Sequence, residues 1–148
     1  MFVDSDGCPV REESIKVASR NSVETFLVCA GGIRPYKNPL VQTIFVKEGL
    51  DSADDWIVEN IEANDIAVTL DIPLAGRCIS KGALVVKPNG DTLSDKNIGP
   101  ILASRNLSMS LRESGIDLGG PPPFSKNDRA NFSSTLENVI KKLLNSTI

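Results

Sequence analysis

Residues 2–10 read FVDSDGCPV: two apolar residues, two aspartates one position apart, then Gly, Cys and Pro. The apolar start predicts a short buried strand that stops at Asp4, and Pro9 suits the first turn of a following helix. Two carboxylates this close repel each other unless they are solvated, share a proton or hold a cation. Asp4 and Asp6 are therefore the first candidate site residues.

Working outward, short β-branched runs alternate with helical stretches. "PVREESIKVASRN" puts Val10, Val17 and Ala18 on one face of a helix. "ETFLVCA" and "VQTIFV" read as strands two and three, separated by the loop "GGIRPYKNP". "GLDSADDWIVENIEAN" is a helix with acids in its first turn, where the helix dipole favours them, and with Ser52 as its N-cap. "IAVTL" is strand four, "IPLAGRCISKG" a short helix and "ALVVKP" strand five, after which "NGD" turns the chain. Ser94 and Ser104 are read as caps of two short helices, with Pro100 arguing against one long one. After the stiff connector "GGPPPF", the last segment carries Phe132, Leu136, Val139, Ile140 and Leu143 in a 3.6-residue stripe, and Asp128 fits a capping box with Ser125. This alternation predicts a single α/β domain over residues 1–148, three-layered around a mostly parallel five-stranded sheet.

Composition narrows the chemistry. The net charge of −3 gives no global basic field for nucleic acid or anionic membrane, and 41% apolar residues is ordinary for a globular chain. No apolar run approaches the ~20 residues that span a bilayer, and strand-like sequence begins at Phe2 rather than a basic-then-apolar leader. A cytoplasmic protein without membrane contact is expected. Three cysteines without CxxC spacing fit reduced thiols. The absence of histidine removes Ser-His-Asp and Cys-His nucleophile systems and HExxH zinc sites. Cys8 lacks both a histidine base and a phosphate-holding arginine six residues later, where Ser14 stands, so it reads as a packed helix-start residue. Cys29 and Cys78 read as core fillers.

The acids remain. In an open parallel sheet, ligands gather beyond the carboxyl ends of the strands, where strand order reverses. Asp4 and Asp6 end strand one, Asp71 ends strand four, and Asp51, Asp54 and Asp55 open the helix that feeds strand four. If strands one and four are neighbours, these acids meet on one rim, and oxygen-rich clusters of this kind suit Mg²⁺ or Mn²⁺. Unrelieved carboxylates 4 Å apart repel by about 4 kcal/mol at an effective dielectric near 20. Taken one at a time, each of these acids is also explained as a cap, turn or first-turn residue. Arg34 and Lys37, in the Gly/Pro loop, are the candidate phosphate-binding residues, with Tyr36 between them as a base-stacking candidate.

"VDSDGCPV", "DSADDWIV", "AVTLDIPLA" and "GGPPPFSKNDR", in that order along nearly the whole chain, closely resemble the YaiI/YqxD family of bacterial proteins. That family is similar in fold to PIN-like domains, which are mostly metal-dependent nucleases. The resemblance implies a sheet ordered 3-2-1-4-5, with strands one and four side by side. It also implies a metal-dependent phosphodiesterase or nuclease acting on RNA or single-stranded nucleic acid. Asp4 matches the first PIN acid, Asp51 or Asp54 the second and Asp71 the third, whereas Asp6 matches the YaiI/YqxD pattern. Asp4, Asp6 and Asp71 are then the catalytic candidates, and with Asp51 and Asp54 they form the metal-ligand set. Two rivals stand beside this reading. "VDSDG" also resembles the DxD signature of haloacid-dehalogenase-type phosphatases, with Asp4 as nucleophile and Asp6 as acid–base. Alternatively, the acids belong to a non-catalytic module that holds an ion or a basic partner.

Overall fold

The computed structural model describes residues 1–6, 8–31, 36–47, 52–115 and 124–146. Its elements run β1 (Phe2–Asp4), α1 (Arg11–Arg20), β2 (Thr25–Cys29), β3 (Val41–Phe45), α2 (Ser52–Asn60), β4 (Ile66–Val68), α3 (Ile72–Ser80), β5 (Leu84–Val86), β6 (Thr92–Leu93), α4 (Ile98–Glu113) and α5 (Lys126–Ser146). The strands form one sheet in the order β3-β2-β1-β4-β5-β6, parallel throughout except for the antiparallel β5–β6 pair. The five expected strands stand in the expected order, and β6 extends the sheet by one short edge strand. The "NGD" turn makes that hairpin. Lys87 donates to the Asp91 carbonyl at 2.8 Å and Gly90 donates to that of Lys87 at 2.8 Å. Gly90 has φ +95°, and a Cβ there would lie 2.9 Å from the Asn131 backbone on α5, so both the turn and the close approach require glycine.

Side chains alternate across the strands and divide the core in two. Val3, Leu27 and Val68 join Val17 and Ala18 of α1 and Phe132, Leu136 and Ile140 of α5 on one face. Phe2, Val28, Ala67 and Val85 join Ile57 of α2 and Leu74, Ala75 and Cys78 of α3 on the other, with Ile98 and Ile101 of α4 packed at its margin. The stripe read from the sequence is thus the buried face of α5. On the second face Phe2 stacks on Phe26 at 5.1 Å, and Trp56 of α2 lies 6.0 and 6.1 Å from these two rings. That aromatic trio sets α2 against β1 and β2.

One expectation is corrected. Residues 98–113 form a single helix rather than two short ones. Pro100 is its third residue, where a backbone N–H has no intrahelical acceptor, so proline is tolerated there. The Ser125–Asp128 capping box is present, with reciprocal bonds of 2.9 and 3.1 Å.

α5 is also clasped to α1 by charge. Glu137 accepts from Arg20 at 2.7 Å and from Asn21 at 3.1 Å, and Lys141 lies 3.3 Å away. The Arg20 hydrogen bond, joined by those of Asn21 and Lys141, holds the Glu137 carboxyl at about 2, well below the usual carboxylate range. Nearer the start of α5, Arg129 donates to Glu13 at 2.9 Å and to the Pro9 carbonyl at 2.6 Å, and its guanidinium lies 4.9 Å from the Phe124 ring centre.

Candidate metal centre at the sheet rim

β1 lies between β2 and β4, with Phe2 opposite Ala67 and Val3 opposite Val68. Continuing that register sets Asp4 opposite Thr69, both on the face that carries Phe2 and Ala67. The Thr69 hydroxyl donates to Asp4 Oδ2 at 2.9 Å and accepts the backbone N–H of Asp71 at 3.0 Å. Strand order reverses between β1 and β4, which is where an open parallel sheet leaves a crevice at its carboxyl edge.

Asp4 is half-buried and Asp6 is exposed. Asp6 Oδ2 accepts the backbone N–H of Ala30 at 3.0 Å, tying the turn after β1 to the end of β2. Asp4, Asp6, Cys8, Thr69, Leu70 and Pro88 line one small cavity of about 30 Å³. That is room for an ion or a water or two, not for a nucleotide. Burial raises the Asp4 carboxyl above its ordinary value. The Thr69 hydrogen bond opposes the rise, and the charges of Asp71 and Asp6 add to it. Among the described residues neither Asp4 nor Asp6 has an ion-pair partner.

The other candidates fall differently. Asp71 is the N-cap of α3, accepting the Leu74 N–H at 3.0 Å. Its charge still acts on Asp4, but its side chain has structural work. Asp54 is half-buried on α2, and its charge acts on the Cys78 thiol together with that of Asp4, so α2 brings this acid to the same side of the sheet. Asp55 pairs with Arg77 of α3 at 3.1 Å. Lys37 is exposed, and Tyr36, half-buried against the α1 core, donates its hydroxyl to Glu12. Its hydroxyl is thus engaged and its ring packed on the core, which leaves it no free stacking face. Arg34 and Asp51 lie outside the described residues.

Among the described residues no three His, Cys, Asp or Glu side chains form a metal-holding group. The donor set they offer at the rim is the Asp4–Asp6 pair. The thiols stand apart from this chemistry. Burial pushes Cys8 up and Cys78 up to about 11, and Cys29 and Cys78 are fully buried, as the packing reading expects. Thr69 escaped the sequence reading. Its signal was available in "VTLD", two residues before Asp71 and opposite Asp4 once strands one and four pair.

The chain matches, over residues 2–142, the model of the uncharacterised bacterial YaiI/YqxD family, and it belongs to that family. It is 50% identical over 143 residues to a UPF0178 protein of Cereibacter sphaeroides, covering 96% of this chain and 88% of the relative. A UPF0178 protein of Rhodopseudomonas palustris is 45% identical over 97% of this chain and 90% of its own length. One from Agrobacterium fabrum is 44% identical over 97% of this chain and 94% of its own. No solved structure gives a significant match. No helix among the described residues is long and apolar enough to cross a membrane.

Proposed function

We propose that this protein is a Mg²⁺- or Mn²⁺-dependent phosphodiesterase acting on single-stranded RNA, with Asp4 and Asp6 as its metal-holding residues. The observation that carries this reading is the lining of an ion-sized cavity at the β1–β4 switch point by two carboxylates that have no ion-pair partner among the described residues. The donor set fits a hard divalent ion, which is commonly held by one or two carboxylates together with water and substrate phosphate oxygens. When bound, such an ion supplies an acidified water and charge neutralisation at the phosphorus. The remaining work falls to the chain. Thr69 fixes the direction of Asp4 Oδ2, and the Asp71 N–H fixes the Thr69 hydroxyl in turn. Ala30 holds Asp6 from the β2 side. Asp71 serves as the cap that orients α3 and as a negative charge that favours a cation beside Asp4. Asp54 of α2 adds a further acid on that side of the sheet.

The phosphatase reading asks Asp4 to be a nucleophile. That role needs Asp4 ionised, as metal holding does, so the rise that burial causes favours neither reading. The two readings separate experimentally. Cleavage of a labelled single-stranded RNA should depend on Mn²⁺ or Mg²⁺ and vanish in Asp4→Asn, with negligible turnover of p-nitrophenyl phosphate. Brisk phosphomonoester turnover, or beryllium fluoride captured on Asp4, would replace the phosphodiesterase with the phosphatase. Metal binding without either activity would leave a binding module.

A further inference from the structure

Arg11 opens α1 on the side of the rim where the ends of β1 and β2 meet. It is half-buried, and its Nε is buried with no hydrogen-bond partner. Among the described residues Arg11 makes no ion pair, whereas Arg20, Arg77 and Arg129 each have a carboxylate. Its guanidinium meets the Tyr36 hydroxyl, which also binds Glu12. A guanidinium cannot shed its proton to escape burial, so an unmatched one keeps its charge and its desolvation cost. The positive end of α1 adds to the same field. The Arg11 charge acts on Cys8 alongside those of Asp4 and Glu13, and on Cys29 alongside that of Asp6.

Resting on the phosphodiesterase reading, we propose that Arg11 is the cation that holds a phosphate of the single strand beside the Asp4–Asp6 pair. The planar guanidinium suits phosphate oxygens, and a cation set apart from a carboxylate pair is what a strand needs to lie across an acidic rim. A diester suits this juxtaposition better than a free phosphate, because it brings one negative charge per phosphate rather than two toward the acids.

The test is fluorescence anisotropy of a labelled single-stranded RNA, without divalent metal and over a range of salt, with Mn²⁺-dependent cleavage measured in parallel. Arg11→Ala should weaken binding about tenfold and lower the slope of log K against log salt by about 0.7, one phosphate contact on a single strand. Arg11→Lys should retain the slope, and Lys142→Ala, on the exposed face of α5, should bind as wild type. Arg11→Gln replaces the alanine variant if that chain fails to fold. Unchanged affinity and slope in a folded Arg11→Ala or Arg11→Gln would overturn the assignment while leaving metal-dependent cleavage intact. Wild-type binding that weakens as stated in Arg11→Ala, without any cleavage, would retire the phosphodiesterase and keep Arg11 as a strand-binding residue. A wild type that neither binds nor cuts would retire both.

Discussion

At the α1–α5 seam Glu137 receives Arg20, Asn21 and Lys141, and Glu13 receives Arg129; at the rim Asp4 receives one neutral hydroxyl and Asp6 one backbone amide. The electrostatic results are opposite. Glu137 is held down at about 2, first by its Arg20 bond, whereas Asp4 is pushed up, first by burial. Where carboxylates hold helices together, this chain supplies their cations. Where β1 meets β4, Asp4 and Asp6 have no cation among the described residues, and that contrast is the physical reason for proposing the rim as a site.

The contrast can be broken or sharpened by substitution. The largest effect is expected for Asp4→Asn. RNA cleavage should fall at least ~100-fold, equivalent to about 3 kcal/mol of transition-state stabilisation. Meanwhile the melting temperature without metal should equal or exceed the wild type, because a carboxyl that burial disfavours in its charged form is gone. A clear loss of stability in that variant would make Asp4 structural. Phe132→Ala, in the core beneath the clasp, should cost about 3–5 kcal/mol in denaturant unfolding, because Phe132 is fully buried. Asp71 divides its two roles by substitution. Asp71→Ala should cost about 1 kcal/mol through the lost α3 cap, and Asp71→Asn much less. If Asp71→Asn also abolishes cleavage in a stable protein, Asp71 belongs to the metal set after all. Arg129→Gln should cost about 1 kcal/mol or less, since its pair with Glu13 is partly exposed.

The two regions should also slope oppositely with pH. The folded Glu137 carboxyl lies below its ordinary 4.5, so its contribution is present above that value and lost as pH falls through about 2. The folded Asp4 carboxyl lies above its ordinary 3.8. Its contribution is therefore fully present below 3.8 and is lost as pH rises through the folded value. Stability curves of Glu137→Gln and Asp4→Asn against pH should each remove one of these slopes. Identical curves for the two variants would contradict the contrast.

The fold was readable where the physical signal is local and repeated. The five parallel strands are β-branched runs, and the α5 stripe recurs at helical spacing; their order came through the family resemblance. β6 is only two residues long, Thr92 and Leu93, too short for a period-two pattern to be legible. The unity of α4 is not legible, because a proline breaks a helix in its interior but not in its first turn, and nothing local says which position Pro100 holds. At the site, Asp4 and Asp6 were legible as acids ending a buried strand. Thr69 depends on the β1–β4 register, a long-range pairing. Arg11 depends on which arginines find carboxylates across the fold, and single-residue patterns do not carry that. Arg34 and Asp51 lie outside the described residues.

Calorimetric titration of the metal-free protein with Mn²⁺ tests the central claim most directly. The account predicts saturable binding in the wild type, loss of binding in Asp4→Asn and in Asp6→Asn, and retention in Glu137→Gln. No binding to the wild type, or equal binding to all four proteins, would contradict the assignment of the Asp4–Asp6 pair as a metal centre.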